Sequence, residues 1–255
     1  MLKIAKYIVF DIVRSKVLIA YTLLLFAITL TIFMADADAT KGLVSITTVI
    51  MIIVPLVSVV YATTYYFNAA EFTELLVSQP ISRKKILMGK FIGIGSSVLA
   101  AFIIGVCIPV AMFAFSATGI TLMVSGCLLT LSFVSLAFFT STRTRDKARG
   151  IGLALMLWFY FAILFDGLVL LFLYGFADYP LEKAMIALTA LNPIDLARIL
   201  ILLQLDISAL MGYTGALYQQ FFGSGEGIVF SLAMQIVWIG APLFFALRVF
   251  KKKDL

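Results

Sequence analysis

The 255-residue chain contains no histidine. That removes the commonest general base, and with it a Ser–His triad, a histidine-ligated haem and the usual zinc hydrolase centre. Cysteine is scarce: Cys107 and Cys127 are the only two, both inside apolar runs. They read as packed or lipid-facing thiols rather than as a disulfide or a metal pair. Charged residues make up 13% of the chain, against about 25% in a soluble domain. No phosphate-cradling loop is present, because Gly89-Lys90 runs into Phe91 and no glycine stands five residues before Gly89. No two carboxylates share a helix face within the apolar runs, which argues against an intramembrane protease or an ion-coupled pump.

What remains is apolar. The chain is 63% hydrophobic with a mean hydropathy of +1.13, a composition that no water-soluble domain has. Its net charge of +6 therefore reads as loop charge on a membrane protein and not as a nucleic-acid surface. The ten methionines are scattered without Met-x-x-Met clusters and read as packing filler rather than a copper path.

A helix crosses the hydrocarbon layer with about 20 apolar residues. Charge-free stretches of that size predict spans over 17–35, 43–67, 151–177 (with Asp166 inside it) and 228–247. The run 91–142 is too long for one crossing and is split at a turn near Thr118-Gly119 into spans 91–117 and 120–142. Ile207–Gly225 is a seventh candidate, but it holds four glycines and the pair Gln219-Gln220. Charge rejects it. With six spans, Lys3, Lys6, Arg14 and Lys16, the two clusters Arg83–Lys90 and Arg143–Arg149, and Arg248 with Lys251–Lys253 all face one side. The other side holds only Lys41, Lys183 and Arg198. The positive-inside rule then puts both termini in the cytoplasm, while a seventh span would export the last basic cluster.

The first 16 residues carry spread basic charge and no small-residue cleavage site, so they do not read as a secretory signal. Ile4, Ile8 and Ile12, with Ala5, Val9 and Val13, fall on one helical face. The segment reads as an interfacial amphipathic helix that elbows into the first span, or as a plain cytoplasmic extension of it. Residues 178–227 form the longest piece outside the spans. Its short apolar runs Ala184–Ile194 and Ile199–Leu205 are expected as interfacial or re-entrant helices at the external end of the bundle. No internal repeat and no soluble domain stand out. The expected fold is an all-α membrane protein, one transmembrane domain with six transmembrane helices.

The loop between spans two and three is the most informative. Glu71–Gln79 reads as a short helix in which Phe72, Leu75 and Leu76 make an apolar knob flanked by Glu71 and Glu74. Pro80 ends it, and Ser82 is placed to cap a helix that begins Arg83-Lys84-Lys85. Such a helix either docks a cytoplasmic partner or is an ordinary solvated connection. The stretch Glu71-Phe-Thr-Glu-Leu-Leu-Val-Ser-Gln-Pro-Ile-Ser-Arg83 resembles the corresponding loop of type-2 ABC transporter permeases, with Phe72 standing where those often have glycine. Six spans, an N-terminal elbow, a tight hairpin between spans three and four and a long outer segment before span six agree with that family. The resemblance implies a non-catalytic permease that binds no cofactor of its own. In that family the loop is a coupling helix seated in a cleft of a cytoplasmic ATPase. Glu71, Phe72, Glu74, Leu75, Leu76 and Arg83 would then meet the ATPase. The permease would work as a homodimer with two ATPase subunits that hold ATP and Mg²⁺.

Farther along, Asn192-Pro193 with Asp195 reads as a helix start, and Arg198 can pair with Asp195 at i+3. The pattern Asn-Pro-x-Asp-x-x-Arg is similar to that of the permease family serving nitrous oxide reductase maturation. That similarity implies a periplasmic β-helical partner facing Asn192, Pro193, Asp195 and Arg198, and a role in assembling the reductase's copper–sulfur site. A generic exporter of a drug, peptide or lipid, and a membrane scaffold without transport, stay open beside it. Asp166 sits near mid-membrane, where an Asp costs about 2.5–3.5 kcal/mol to insert. It is expected either to line a polar route, to form a hinge hydrogen bond near Gly167, or to sit protonated against a hydroxyl of a neighbouring helix.

Overall fold

The computed structural model describes residues 1–35, 38–176, 182–204 and 225–252. Among the described residues there are only helices. α1 is Leu2–Val13, α2 Lys16–Ala35, α3 Ala39–Asn68 and α4 Ala70–Val77. α5 runs over Arg83–Phe113, α6 over Ala117–Arg143 and α7 over Lys147–Gly175. α8 is Glu182–Ala190, α9 Pro193–Gln204 and α10 Gly225–Lys252. Six of these, α2, α3, α5, α6, α7 and α10, are long and apolar enough to cross a membrane. Ile207–Gly225 lies almost wholly outside the described residues.

The spans overrun the predicted limits, mostly at their basic ends; α5, for example, begins at Arg83 rather than at 91. A charge-free window detects the hydrocarbon layer, whereas a helix continues until a cap or a proline stops it. Asp146 does this for α7, accepting from the Ala148 and Arg149 amides. The hairpin between α5 and α6 also moves. Thr118 and Gly119 are helical, and the break is Ala114–Ser116, with Ser116 Oγ accepting from the Gly119 amide at 3.1 Å. A Cβ on Gly119 would stand 2.3 Å from the Ala114 carbonyl oxygen. The glycine therefore serves the turn from one step inside the helix.

α6 is the centre of the bundle and is mostly enclosed by its neighbours, whereas α7 is largely uncovered. It packs chiefly on α3 and α10. Ser135 Oγ donates to the Ile239 carbonyl of α10 at 2.6 Å, a serine seam of the kind that lets helices approach closely. Within α5, residues Ile103–Cys107 form a π segment just before Pro109. Proline has no amide to return to the Gly105 carbonyl, and the wider turn absorbs the mismatch.

α1 is a helix separate from α2, broken at Arg14-Ser15, so the segment is not a continuation of the first span. Ile4, Ala5, Ile8 and Ile12 are buried, while Val13 is exposed. The reason is the partner surface. Gly89 and Gly93 of α5 open a groove in which a Cβ on Gly93 would lie 2.8 Å from Ile8 Cβ. Ile4 takes the same position over Gly89, at 3.0 Å. The small-xxx-small spacing lets α1 lie directly on the α5 backbone.

Gly93→Ala is therefore expected to lower the unfolding free energy by about 1–3 kcal/mol, the usual cost of overpacking. Gly240→Ala, whose Cβ would meet nothing within 4 Å, should not lower it and is expected to raise it by up to about 1 kcal/mol through helix propensity. Thermal unfolding of the detergent-solubilised chain measures both.

Candidate functional site

Two polar constellations interrupt the apolar bundle. The first joins α7, α8 and α9. The segments Ala184–Ala190 and Pro193–Leu202 meet at 115°, so the described part of the segment before α10 is a bent pair of short helices. Asn192 sits at the bend and is fully buried. Its Oδ1 accepts from the Ile194 amide at 3.0 Å and caps α9, with Pro193 in the first turn. Its Nδ2 donates to the Phe161 carbonyl at 2.9 Å and to Asp195 Oδ2 at 3.0 Å. Phe161 belongs to a second π segment, Tyr160–Leu164, whose i→i+5 bonding disturbs the ladder of α7 and exposes a carbonyl to an outside donor.

One turn further on, Arg198 Nη1 stands 2.7 Å from Asp166 Oδ2 and 3.3 Å from Asp195 Oδ1. The mid-span aspartate and the outer motif, distant in sequence, thus form one network. Two carboxylates share one guanidinium, and Asn192 ties the group to the backbone. Asp166 has a cationic partner from α9, in place of the expected hydroxyl or hinge bond. Asn192, Pro193, Asp195 and Arg198 are expected to face an external protein, and the structure places them as follows. Asn192, Pro193 and Asp195 are buried, because the bend turns them onto α7. Arg198 is half-buried and engaged with Asp166. The far end of α9 is held as well: Thr118 and Thr121 of α6 donate to the carbonyl and the side-chain oxygen of Gln204 at 3.2 and 2.5 Å. Trp238 of α10 donates to the Ala190 carbonyl at the end of α8.

The second constellation lies at the end of the bundle that carries both chain ends. α4 spans Ala70–Val77, within one or two residues of its predicted limits. The apolar knob does not stay together. Leu76 is buried, and Phe72 stacks on Tyr7 of α1 with ring centroids 4.9 Å apart. Leu75, 66% exposed, is left outside with Glu71 and Glu74. The helix is too short to float free, so its inner face packs on α5 and α1 and its outer face is acidic with one apolar tip. Arg83 Nη1 donates to the Lys251 carbonyl near the end of α10, so Arg83 ties two spans together. Ser82 precedes α5 without a side-chain cap bond.

Sequence reasoning missed Lys90 and Thr73. Lys90 is 1% exposed. Its Nζ donates to Thr73 Oγ1 of α4 at 2.6 Å and to the Tyr66 carbonyl of α3 at 3.3 Å, and lies 4.4 Å from the centre of the Tyr66 ring. Counting charge had grouped it with the loop cluster. The helical period contained the correcting signal, since Lys90 follows the fully buried Ile86 and Leu87 at i+4 and i+3. Beside this end, an amphipathic cavity of about 890 Å³ opens between α1, α3 and α7, with Asp11, Arg14, Tyr65 and Asn68 among its polar lining. Tyr65 donates to Asp11 there at 2.7 Å.

Comparison with known proteins decides what this architecture is. Residues 72–255 match the family described as ABC-2 family transporter protein. The chain belongs to that family. It is 30% identical over 193 residues to a probable ABC transporter permease protein NosY of Stutzerimonas stutzeri, covering 70% of this chain and 67% of that protein. It is 31% identical over 192 residues to the Pseudomonas aeruginosa protein of the same description, covering 71% and 68%. As an ABC-2 permease it is a multi-pass membrane subunit of an ABC transporter.

Removing one member of the outer network strands the others. Arg198→Met is expected to destabilise this ABC-2 permease by an amount between the about 1 kcal/mol of an exposed ion pair and the about 3–5 kcal/mol of a buried one. Asp166→Asn combined with Arg198→Met should recover part of that loss, so that the double substitution costs less than the sum of the two single ones in a thermal-unfolding double-mutant cycle.

Proposed function

We propose that this chain is the energy-coupled membrane half of an ABC transporter, in which α4 is the element that receives a cytoplasmic ATPase. The observation that carries this reading is the outer face of α4. Glu71, Glu74 and Leu75 stand out on an eight-residue helix whose other face is fixed to α1 and α5. A partner with a cationic, apolar-floored cleft fits that face. Lys3, Lys6, Arg14 and the later basic clusters share its end of the bundle, which by the positive-inside rule is the cytoplasmic one. The membrane is then the prokaryotic inner membrane, with both termini inside.

The working unit is a homodimer with two ATPase subunits, which bring the ATP and Mg²⁺. α7 supports the dimer, since little of it is enclosed within the chain and it presents apolar side chains such as Leu155, Met156 and Ile163 outward. ATP-driven closure of the ATPase pair pushes α4, the spans rock, and the strain reaches the bent pair α8–α9 through α6.

The likeness to two NosY permeases supports a finer reading. This transporter serves copper-site maturation of nitrous oxide reductase, with a periplasmic β-helical protein on the outer side. Because Asn192, Pro193 and Asp195 are buried, that partner would read their positions only through the surface of α8–α9, not by touching them.

Leu75→Asp, or Glu71→Lys with Glu74→Lys, is expected to reduce the ATPase recovered with the affinity-purified permease by about tenfold, the equivalent of 1.4 kcal/mol, at an unchanged unfolding temperature. An unchanged stoichiometry contradicts the docking assignment. For the finer reading, deletion of this chain from its host should leave nitrous oxide reductase exported but without its copper–sulfur absorption. A reductase with full absorption contradicts it.

A further inference from the structure

Lysine is almost never fully buried unless paired, and an ammonium out of water needs partners for its three donors. Lys90 is buried to 1%, yet no carboxylate among the described residues pairs with it. Its partners are instead one hydroxyl from α4 and a main-chain carbonyl and an aromatic face from α3. Thr73 Oγ1 belongs to α4; the Tyr66 carbonyl and ring belong to the last turn of α3. The bonding is complete on the Thr73 side. Its hydroxyl donates to the Ala69 carbonyl at 2.6 Å, which leaves its lone pairs for Lys90. Tyr66 is itself fixed edge-on against Phe138 of α6, and Phe138 against Phe91 of α5, each at 5.6 Å.

The mechanical situation explains why such a contact matters. α4 is joined to α3 by the break at Ala69 and to α5 by the non-helical stretch 78–82. Its inner face already packs on α1 and α5, and Lys90 adds the polar bonds that join α3, α4 and α5 at one point. We propose that Lys90 is a positioning residue that rivets α4 to α3 and α5, so that the three elements move as one body and displacement of α4 is passed to the spans. The neighbouring residue strengthens the case. Gly89 seats Ile4 of α1 on the same turn of α5, so α1 travels with the riveted unit. The proposal rests on the reading of α4 as the receiving element, and its test separates the two.

The test uses the full chain with Cys107 and Cys127 replaced by alanine. First, a nitroxide is placed at the exposed Leu75 (Leu75→Cys) in the permease alone. Thr73→Val keeps shape but removes the acceptor, and should make the label several-fold more mobile. Thr73→Ser should restore the slow spectrum. Second, the permease co-expressed with its ATPase carries Phe115→Cys at the opposite hairpin. ATP with vanadate should change its maleimide labelling rate several-fold. That response should vanish in Thr73→Val and in Lys90→Met, with the ATPase still bound at full stoichiometry, and return in Thr73→Ser. Unaltered nitroxide mobility, or an unaltered labelling response with ATPase bound, overturns the rivet. Loss of the ATPase together with the response also overturns it, since Lys90 would then only fold α4. Failure of the docking reading looks different: Leu75→Asp keeps the ATPase while the nitroxide result stands.

Discussion

Hydrocarbon offers no hydrogen bonds, so each departure from a straight helix in this bundle needs a protein group to answer it. The chain departs often, and the answers are specific. The π segment of α7 meets Asn192, the end of α8 meets Trp238, and the end of α9 meets Thr118 and Thr121. The turn after α5 is closed by Ser116 on the Gly119 amide. These contacts are few and lie far apart in sequence. They locate the bent pair α8–α9 within the bundle more tightly than apolar packing alone, because a side chain slides over lipid-like neighbours at little cost whereas a stranded carbonyl does not.

The same constraint gives the two polar constellations their form. In the outer one, Asp166 is tolerable in a span because Arg198 reaches it from α9, and Asn192 and Asp195 hold Arg198 in place. In the inner one, Lys90 is tolerable because α3 and α4 supply acceptors and a ring. Each network crosses between elements with a gap in the chain between them, and a contiguous route connects the two. It runs from α4 through Lys90 to α5, across the Ser116 hairpin to α6, and through Thr118 and Thr121 to α9.

Much of this was legible before any coordinates. Counting apolar runs found six spans, and basic residues divided unequally between the two sides. The short helix after the second span, the helix start at Asn192-Pro193 and the Asp195–Arg198 pair were readable from local rules of capping and spacing. The errors have a common cause. Leu76 and Phe72 were grouped with Leu75 by periodicity, but periodicity names a face without saying which neighbour covers it. Lys90 falls with the loop cluster when charge is weighed by position along the chain, whereas helical phase places it beside Ile86 and Leu87.

The sequence by itself therefore determined the class of protein and its six candidate spans, since both follow from composition and from patterns within a few residues. The tertiary structure alone decided that Asp166 is the partner of Arg198, that Asn192 faces inward, and that a loop lysine is the buried joint of three helices. These are pairings between residues 17 to 32 positions apart, set by how helices cross, and crossing depends on which glycines, prolines and π turns let two backbones come close.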